Sequence, residues 1–238
     1  MKPILFNTEM VRAIQDDRKT TTRRIIKPQP KSKLAYVSAG HGHGKWHYPS
    51  EDAWKYWDDE SFKHSENLTE EDLKQSWTPP AQHGDILYVR ETFFEVRGKY
   101  YYKADEKHLG LNALIGGKEF FKWHPSIHMP KEAARLFLRV TGVRVERLQE
   151  ISNQDVIREG VKPQWINGGC HCTAYQDGCL DEPCPNRDAY EWSCHVTPFS
   201  ELWDSTIPQK DLNRYGWNAN PWVWVIEFER ISKEEALK

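Results

Sequence analysis

No stretch of this chain stays apolar long enough to cross a bilayer, and a membrane partner is not expected. Its opening residues, MKPILFNTEM, also lack the apolar core of a secretion signal, because Asn7, Thr8 and Glu9 interrupt it at once. The chain therefore reads as cytoplasmic. An excess of one charge sign is missing too: 33 Lys and Arg stand against 35 Asp and Glu, for a formal net charge of −2. No global field draws such a protein to nucleic acid, so an anionic partner must be held by a local patch. Internal repeats and low-complexity tracts are lacking as well. Cysteine does not occur before Cys170. All five cysteines, Cys170, Cys172, Cys179, Cys184 and Cys194, then crowd one short tract beside His171 and His195. In a reducing compartment such crowding favours metal over disulfides. Cys170, Cys172, Cys179 and Cys184, with Cys194 as a substitute ligand, could hold a structural zinc, although no paired C-x2-C spacing is present. Reduced, free cysteines are the alternative.

What is present reads as one folded domain over residues 1–238. The chain is 38% apolar and 29% charged, which excludes a disordered polymer and leaves room for a sizeable core. Its 11 tryptophans suit either a compact β-rich interior or flat surfaces that stack on bases.

Asn7 or Thr8 can cap a short helix with Met10, Val11 and Ile14 on one face, ending near Asp16 and Asp17. The hydroxyl run Thr20–Thr22, followed by Ile25 and Ile26, predicts a strand that Pro28 and Pro30 terminate. Residues 31–82 are polar, with HGHGKWHYPSEDAWKYWDDE at their centre, and read as a long His/Trp-rich insertion. Gly84 and Asp85 turn into a strand at Ile86, Leu87 and Val89; KYYYKAD and the long RLFLRVTGVRVERL are further strands. Ser152 begins a helix with Asp155 in its first turn and Gly160 placed to cap its end. Residues 163–198 form a second, Cys-rich insertion. FSELWDST gives a short helix. NPWVWVIEFERI gives a last strand whose near-continuous apolar run predicts a central position covered on both faces. The sum is an α+β chain: a small β-barrel core, flanking short helices and two loop insertions.

Against this neutral background, RKTTTRR (Arg18–Arg24) gathers four cations and three hydroxyls in seven residues. Together with PILFNTEMVRAIQDDRKTTTRR, the stretches GDILYVRETF, WHPSIHMPKEAARLFLRVTGVRVERLQEIS and NANPWVWVIEF resemble ASCH-domain proteins, particularly a branch common in bacteriophages and prophages. They follow the family's order and span most of the chain outside the two insertions. The resemblance implies a PUA-like β-barrel, a fold related to RNA-binding modules. It also implies an activity, since a small bacterial member is an amidohydrolase that removes the acetyl group from N4-acetylcytidine. That member's site is similar to this chain at a Lys-Thr-x-Thr strand and at a Glu ending a later helix. The resemblance therefore implies Lys19, Thr22 and Glu159 as the catalytic set, with no cofactor, and Arg18, Thr20, Arg23 and Arg24 around the substrate. The chain departs from the family in carrying Asp17 where members usually have Gly before the Arg-Lys pair. Asp tolerates a left-handed backbone better than most residues.

Hydrolysis of an N-acyl amide needs a nucleophile, a base to activate it and an acid for the leaving amine. A lysine serves as base only if burial or nearby cations lower its pKa, and Arg18, Arg23 and Arg24 supply cations. Any of these arginines left free could stabilise an oxyanion or a phosphate. A regular strand sends Lys19 and Thr22 to opposite faces, so they converge only if Lys19 sits in the helix-to-strand turn or a bulge intervenes. Lys19 and Thr21 share a face without special geometry, and the choice of Thr22 rests on the resemblance. The structural alternative is an exposed strand with solvated charges, and Glu159 as an ordinary end-of-helix residue. Competing functions are a non-catalytic module that binds RNA or a nucleotide, and an RNA-cleaving ASCH protein.

Other features carry less. His41, His43, His47 and His64 read as a His/Gly loop rather than a second metal site. Trp46, Trp54 and Trp57 could form a lid over a base, but packing onto the barrel is the better reading. Ser126 and His128 find no acidic partner at recognisable spacing.

Overall fold

β-branched and aromatic runs separated by Gly, Pro and Asn turns give the described part of this chain its strands. The computed structural model describes residues 1–37, 45–47, 76–105, 122–161 and 196–238. The elements run β1 (Lys2–Leu5), α1 (Thr8–Gln15), β2 (Thr21–Ile25), β3 (Ala35–Val37), β4 (Lys45–His47), β5 (Ile86–Arg90), β6 (Phe93–Val96) and β7 (Lys99–Tyr102). They continue with β8 (Phe137–Arg147), α2 (Asn153–Arg158), α3 (Val196–Ser205), α4 (Leu212–Tyr215), β9 (Trp222–Ile231) and α5 (Lys233–Ala236). The architecture is mixed α+β. One five-stranded sheet has the order β1-β5-β8-β9-β2, and β3-β4 and β6-β7 form two-stranded sheets. Within the large sheet only β1 and β5 run parallel.

The apolar run of β9 does what its sequence predicts. It pairs with β8 on one side and β2 on the other, and both of its faces are covered. Trp222, Trp224, Ile226 and Phe228 join the main core with Ile4, Phe6, Val11, Ile14 and Leu138. The alternate residues Val223 and Val225 pack instead with Leu148, Val156, Phe199 and Trp203. A strand buried on both faces needs no polar alternation. Midway along β8 the register shifts between Val140 and Gly142. A Cβ at Gly142 would stand 2.9 Å from Glu227 Oε2, so the crossing is close there.

Part of the 31–82 segment belongs to the core. The β3-β4 hairpin carries Trp46 to the main sheet, where its ring meets Trp224 edge-on at 5.4 Å. Its backbone pairs with Trp77, and Leu34, Trp77 and Ala81 are buried beside it. Trp46 thus packs rather than capping a ligand. Trp54, Trp57, His41, His43, His64 and all five cysteines lie outside the described residues. Residues 196–198 of the second insertion already belong to α3.

Among the described residues the sheet does not close into a barrel: β1 and β2 remain its edges. They nevertheless approach each other, because Arg24 on β2 donates to the Leu5 carbonyl on β1 at 3.1 Å. Among the same residues no helix is long and apolar enough to cross a membrane.

Candidate functional site

The turn between α1 and β2 is built by a single carbonyl and a left-handed residue. Asn7 caps α1 by accepting from the Met10 amide, and Val11, Ala13 and Ile14 bury its inner face. At the other end the amides of Arg18 and Lys19 both donate to the Ala13 carbonyl, at 2.9 and 3.0 Å. Asp17 adopts φ of 56°, the backbone that a glycine would otherwise supply. Lys19 therefore sits in the turn, ahead of β2, and escapes the alternation that would send it away from Thr22. Its side chain curls back to donate to the Thr21 carbonyl at 2.8 Å.

Helix α2 brings the carboxylate. Ser152 caps it through the Asp155 amide, Glu159 closes it, and Gly160 leaves it at φ of 85°. A Cβ on Gly160 would lie 2.6 Å from the Ala13 Cβ and 3.0 Å from the Lys19 Cβ. Glycine is thus required twice, for its backbone and for the close approach of α2 to α1. That approach sets Glu159 opposite Lys19 as a bridge pair.

Lys19 Nζ donates to Glu159 Oε2 at 2.7 Å and to the Glu159 carbonyl at 2.8 Å. The two side chains are 0% and 4% exposed. Arg23 holds the other oxygen, Glu159 Oε1, at 3.1 Å. Arg23 is itself tied to Glu146 at 3.2 Å and Asp155 at 3.4 Å, and Arg144 shares both of those carboxylates as well as Glu227. Burial drives the Lys19 ammonium below the ordinary lysine range. Glu159 pulls it back up, while Arg24 and Arg23 push it further down.

A cavity of about 410 Å³ opens beside this pair between the two edge strands. Thr22, Arg24 and Glu159 line it, and Ile4, Leu87, Ile226, Phe199 and Trp203 supply apolar wall. A neighbouring cavity of about 480 Å³ adds Arg18, Glu9 and Glu201, and Glu159 lines both. Thr22 Oγ1 accepts from Arg24 Nη1 at 2.8 Å. A hydroxyl that accepts from a guanidinium keeps its own proton free for a base, and its alkoxide form is stabilised.

The residues singled out in the sequence divide accordingly. Thr22, Arg23, Arg24 and Glu159 line the first cavity and Arg18 the second, where it also donates to the Gly160 carbonyl at 2.9 Å. Lys19 lines neither: it stands behind Glu159. Thr20 is exposed and lines neither, and Thr21 is buried with its hydroxyl unpartnered. Between the two threonines, Thr22 is the one that faces the cavity. Arg23, read as a substrate contact, lines the first cavity and is engaged by three carboxylates, Glu159 among them.

Sequence reasoning missed the supporting shell. Asp155 was legible only as a first-turn acid, and Glu146 and Arg144 only as alternating charges on a strand. Phe199 and Trp203, four apart on α3, carry a helical spacing that could have marked a shared face. Phe6 lies under both Lys19 and Arg24, at 5.5 and 5.3 Å from its ring centre. A second buried carboxylate, Glu91, is gripped by Arg135 at 2.9 and 3.0 Å. Burial raises its pKa despite Arg135. It lines neither cavity.

Among the described residues no cluster of three or more His, Cys, Asp or Glu side chains is arranged to hold a metal ion. Comparison of the chain with protein-family models, with curated proteins and with solved structures finds no match.

Proposed function

We propose that this protein is an amidohydrolase that removes the acyl group from an N4-acylated cytosine nucleoside or a related modified nucleobase, on a PUA-like barrel of the ASCH type. The observation that carries the reading is the buried Lys19–Glu159 pair, 2.7 Å apart, whose Glu159 lines a cavity together with Thr22 and Arg24. The barrel is supported by the approach of edge strands β1 and β2 across that cavity, spanned by α1 and by the Arg24–Leu5 hydrogen bond.

Proton transfer from Lys19 to Glu159 along their hydrogen bond turns an ion pair into a neutral base and a neutral acid, and burial lowers the penalty for that exchange. Thr22 Oγ attacks the acyl carbon while its proton passes to the pair through Glu159, the member at the cavity wall. The C–N4 bond then breaks as Glu159 returns a proton to N4, and the cytosine amine departs. A water molecule, deprotonated by the same pair, cleaves the threonyl ester, so amide and water become carboxylate, amine and, at neutral pH, a proton. Lys19 and Arg23 hold the orientation of Glu159. The apolar wall excludes water and accommodates the acyl chain and the base.

The test is incubation of purified protein with N4-acetylcytidine and chromatographic detection of cytidine. Absence of turnover across several N4-acylcytidines, by protein shown to be folded, overturns the reading. One observation favours a second reading, a non-catalytic nucleotide-binding module: Arg24 has no carboxylate partner among the described residues. That module would bind cytidine nucleotides with an affinity falling steeply with salt, and would tolerate Thr22→Val.

A further inference from the structure

Arg24 is the cation that the ion-pair network leaves over. Lys19 and Arg23 are both engaged by Glu159, and Arg23 also by Glu146 and Asp155. Arg24 makes no ion pair among the described residues. Its acceptors are neutral: Thr22 Oγ1 at 2.8 Å, the Arg23 carbonyl at 3.0 Å and the Leu5 carbonyl at 3.1 Å. A guanidinium carries five N–H donors, so these bonds leave Nε–H and one Nη2–H free. Stacked over Phe6 and pinned by three bonds, the group is preorganised. Burial depresses its pKa and Glu159 offsets only part of that, so its charge is held here at a penalty that a second anion would reduce.

The charge and shape of the cavity limit what that anion can be. Its charged lining residues, Arg23, Arg24 and Glu159, sum to a single positive charge, which a monoanion neutralises. Two donors on one planar group match the two oxygens of a carboxylate. A phosphate monoester would bring up to two charges and three oxygens to a wall that is otherwise mostly apolar, with Glu159 opposing it. Position narrows the choice further. Arg24 donates to Thr22 Oγ1 through Nη1, so a group on its free Nε–H and Nη2–H lies across the same guanidinium from the proposed nucleophile, at the cavity that both residues line. The acyl group of a substrate is released one guanidinium width away, whereas the phosphate of a nucleotide is separated from its acyl group by the base and the ribose.

We infer that Arg24 forms a carboxylate subsite in the cavity that Thr22 also lines, which takes the acid released by deacylation, so that short carboxylates bind the free protein and compete with substrate. The occupant's identity rests on the deacylase reading above. The experiment titrates acetate, propionate and inorganic phosphate into the whole protein at constant ionic strength. Binding is read by saturation-transfer NMR on the methyl protons of the acids and by ³¹P line width for phosphate. Acetate and propionate should bind in the millimolar range, as ligands of so few atoms do. Binding should weaken about tenfold or more in Arg24→Gln, be partly kept in Arg24→Lys, and exceed that of phosphate. Circular dichroism checks that the variants fold, and the wild-type comparison of acetate with phosphate stands without them. No carboxylate binding, unchanged binding in folded Arg24→Gln, or tighter binding of phosphate overturns the subsite. Turnover of N4-acetylcytidine that acetate does not inhibit competitively overturns it while sparing the deacylase reading. Arg24-dependent acetate binding without any turnover does the reverse.

Discussion

Removing both members of the Lys19–Glu159 pair should destabilise this protein by clearly less than the sum of removing each alone. Glu159→Gln leaves the Lys19 ammonium, whose side chain is 0% exposed, facing only the two carbonyls of Thr21 and residue 159. It also strips Arg23 of one of three carboxylates. Breaking a buried pair from one side costs about 3–5 kcal/mol, and Glu159→Gln should fall at the upper end because two cations lose a partner. Lys19→Met should fall at the lower end, because Glu159 keeps Arg23 at 3.1 Å. In the double variant no uncompensated charge remains at the pair, and the two costs should overlap by about 2–3 kcal/mol of coupling. Urea titration at equilibrium measures all four corners. By thermal unfolding, about 2–4 °C per kcal/mol applies to a chain of this size, so Glu159→Gln should melt roughly 10–20 °C lower. The pH dependence adds a second check. The folded pKa of Lys19 lies below its unfolded value, so between the two the folded state binds fewer protons and stability rises with pH. Loss of Glu159 widens that window, and the deficit of Glu159→Gln should shrink as pH climbs toward the ordinary lysine range. Single-variant costs that add within about 0.5 kcal/mol would refute the coupling. All three variants should be inactive, and the folded double variant separates the chemistry from the stability.

Three further outcomes are expected. Thr22→Val should lose turnover by about 10³-fold or more, on the scale of other lost nucleophiles, while Thr21→Val keeps it; because the Thr21 hydroxyl is buried without a partner, that variant should be as stable as wild type or slightly more so in urea. Gly160→Ala must place a Cβ 2.6 Å from Ala13 at a left-handed backbone. Strain and overpacking together predict a loss of about 2–4 kcal/mol by chemical denaturation, with turnover falling because Glu159 is displaced. Glu91 titrates the other way from Lys19. Its folded pKa is raised, so its contribution is fully present below the unfolded value near 4.5 and is lost as pH rises through the folded one. Relative to Glu91→Gln, the wild type should therefore lose urea resistance over the pH range just above that value, and parallel pH profiles of the two proteins would remove this assignment.

Much of the local structure was legible because it is local physics. The Asn7 and Ser152 caps, the left-handed Asp17 and Gly160, and the doubly buried β9 all appear where side-chain hydrogen bonding, backbone sterics and apolar periodicity predict them. Leu34 and Trp77 show where such reasoning stops, whereas packing is already the better reading for Trp46. A polar segment of 52 positions, 31–82, hides core residues because burial there depends on a hairpin docking onto β9, which no period within the segment encodes.

The candidate site divides along the same line. By itself the sequence determined which groups exist: a cation-rich strand, a hydroxyl at each of three positions, and a carboxyl at a helix end beside a glycine. The tertiary structure alone decided which of them meet. Gly160 lets α2 touch α1, so Glu159 closes on Lys19. Asp155 and Glu146 claim Arg23, and Arg24 is left over. Pairing among charges is set by distances of a few ångströms between elements more than 100 residues apart, Lys19 and Glu159 being separated by 140. Coulomb energy and desolvation respond to those distances, and not to order along the chain.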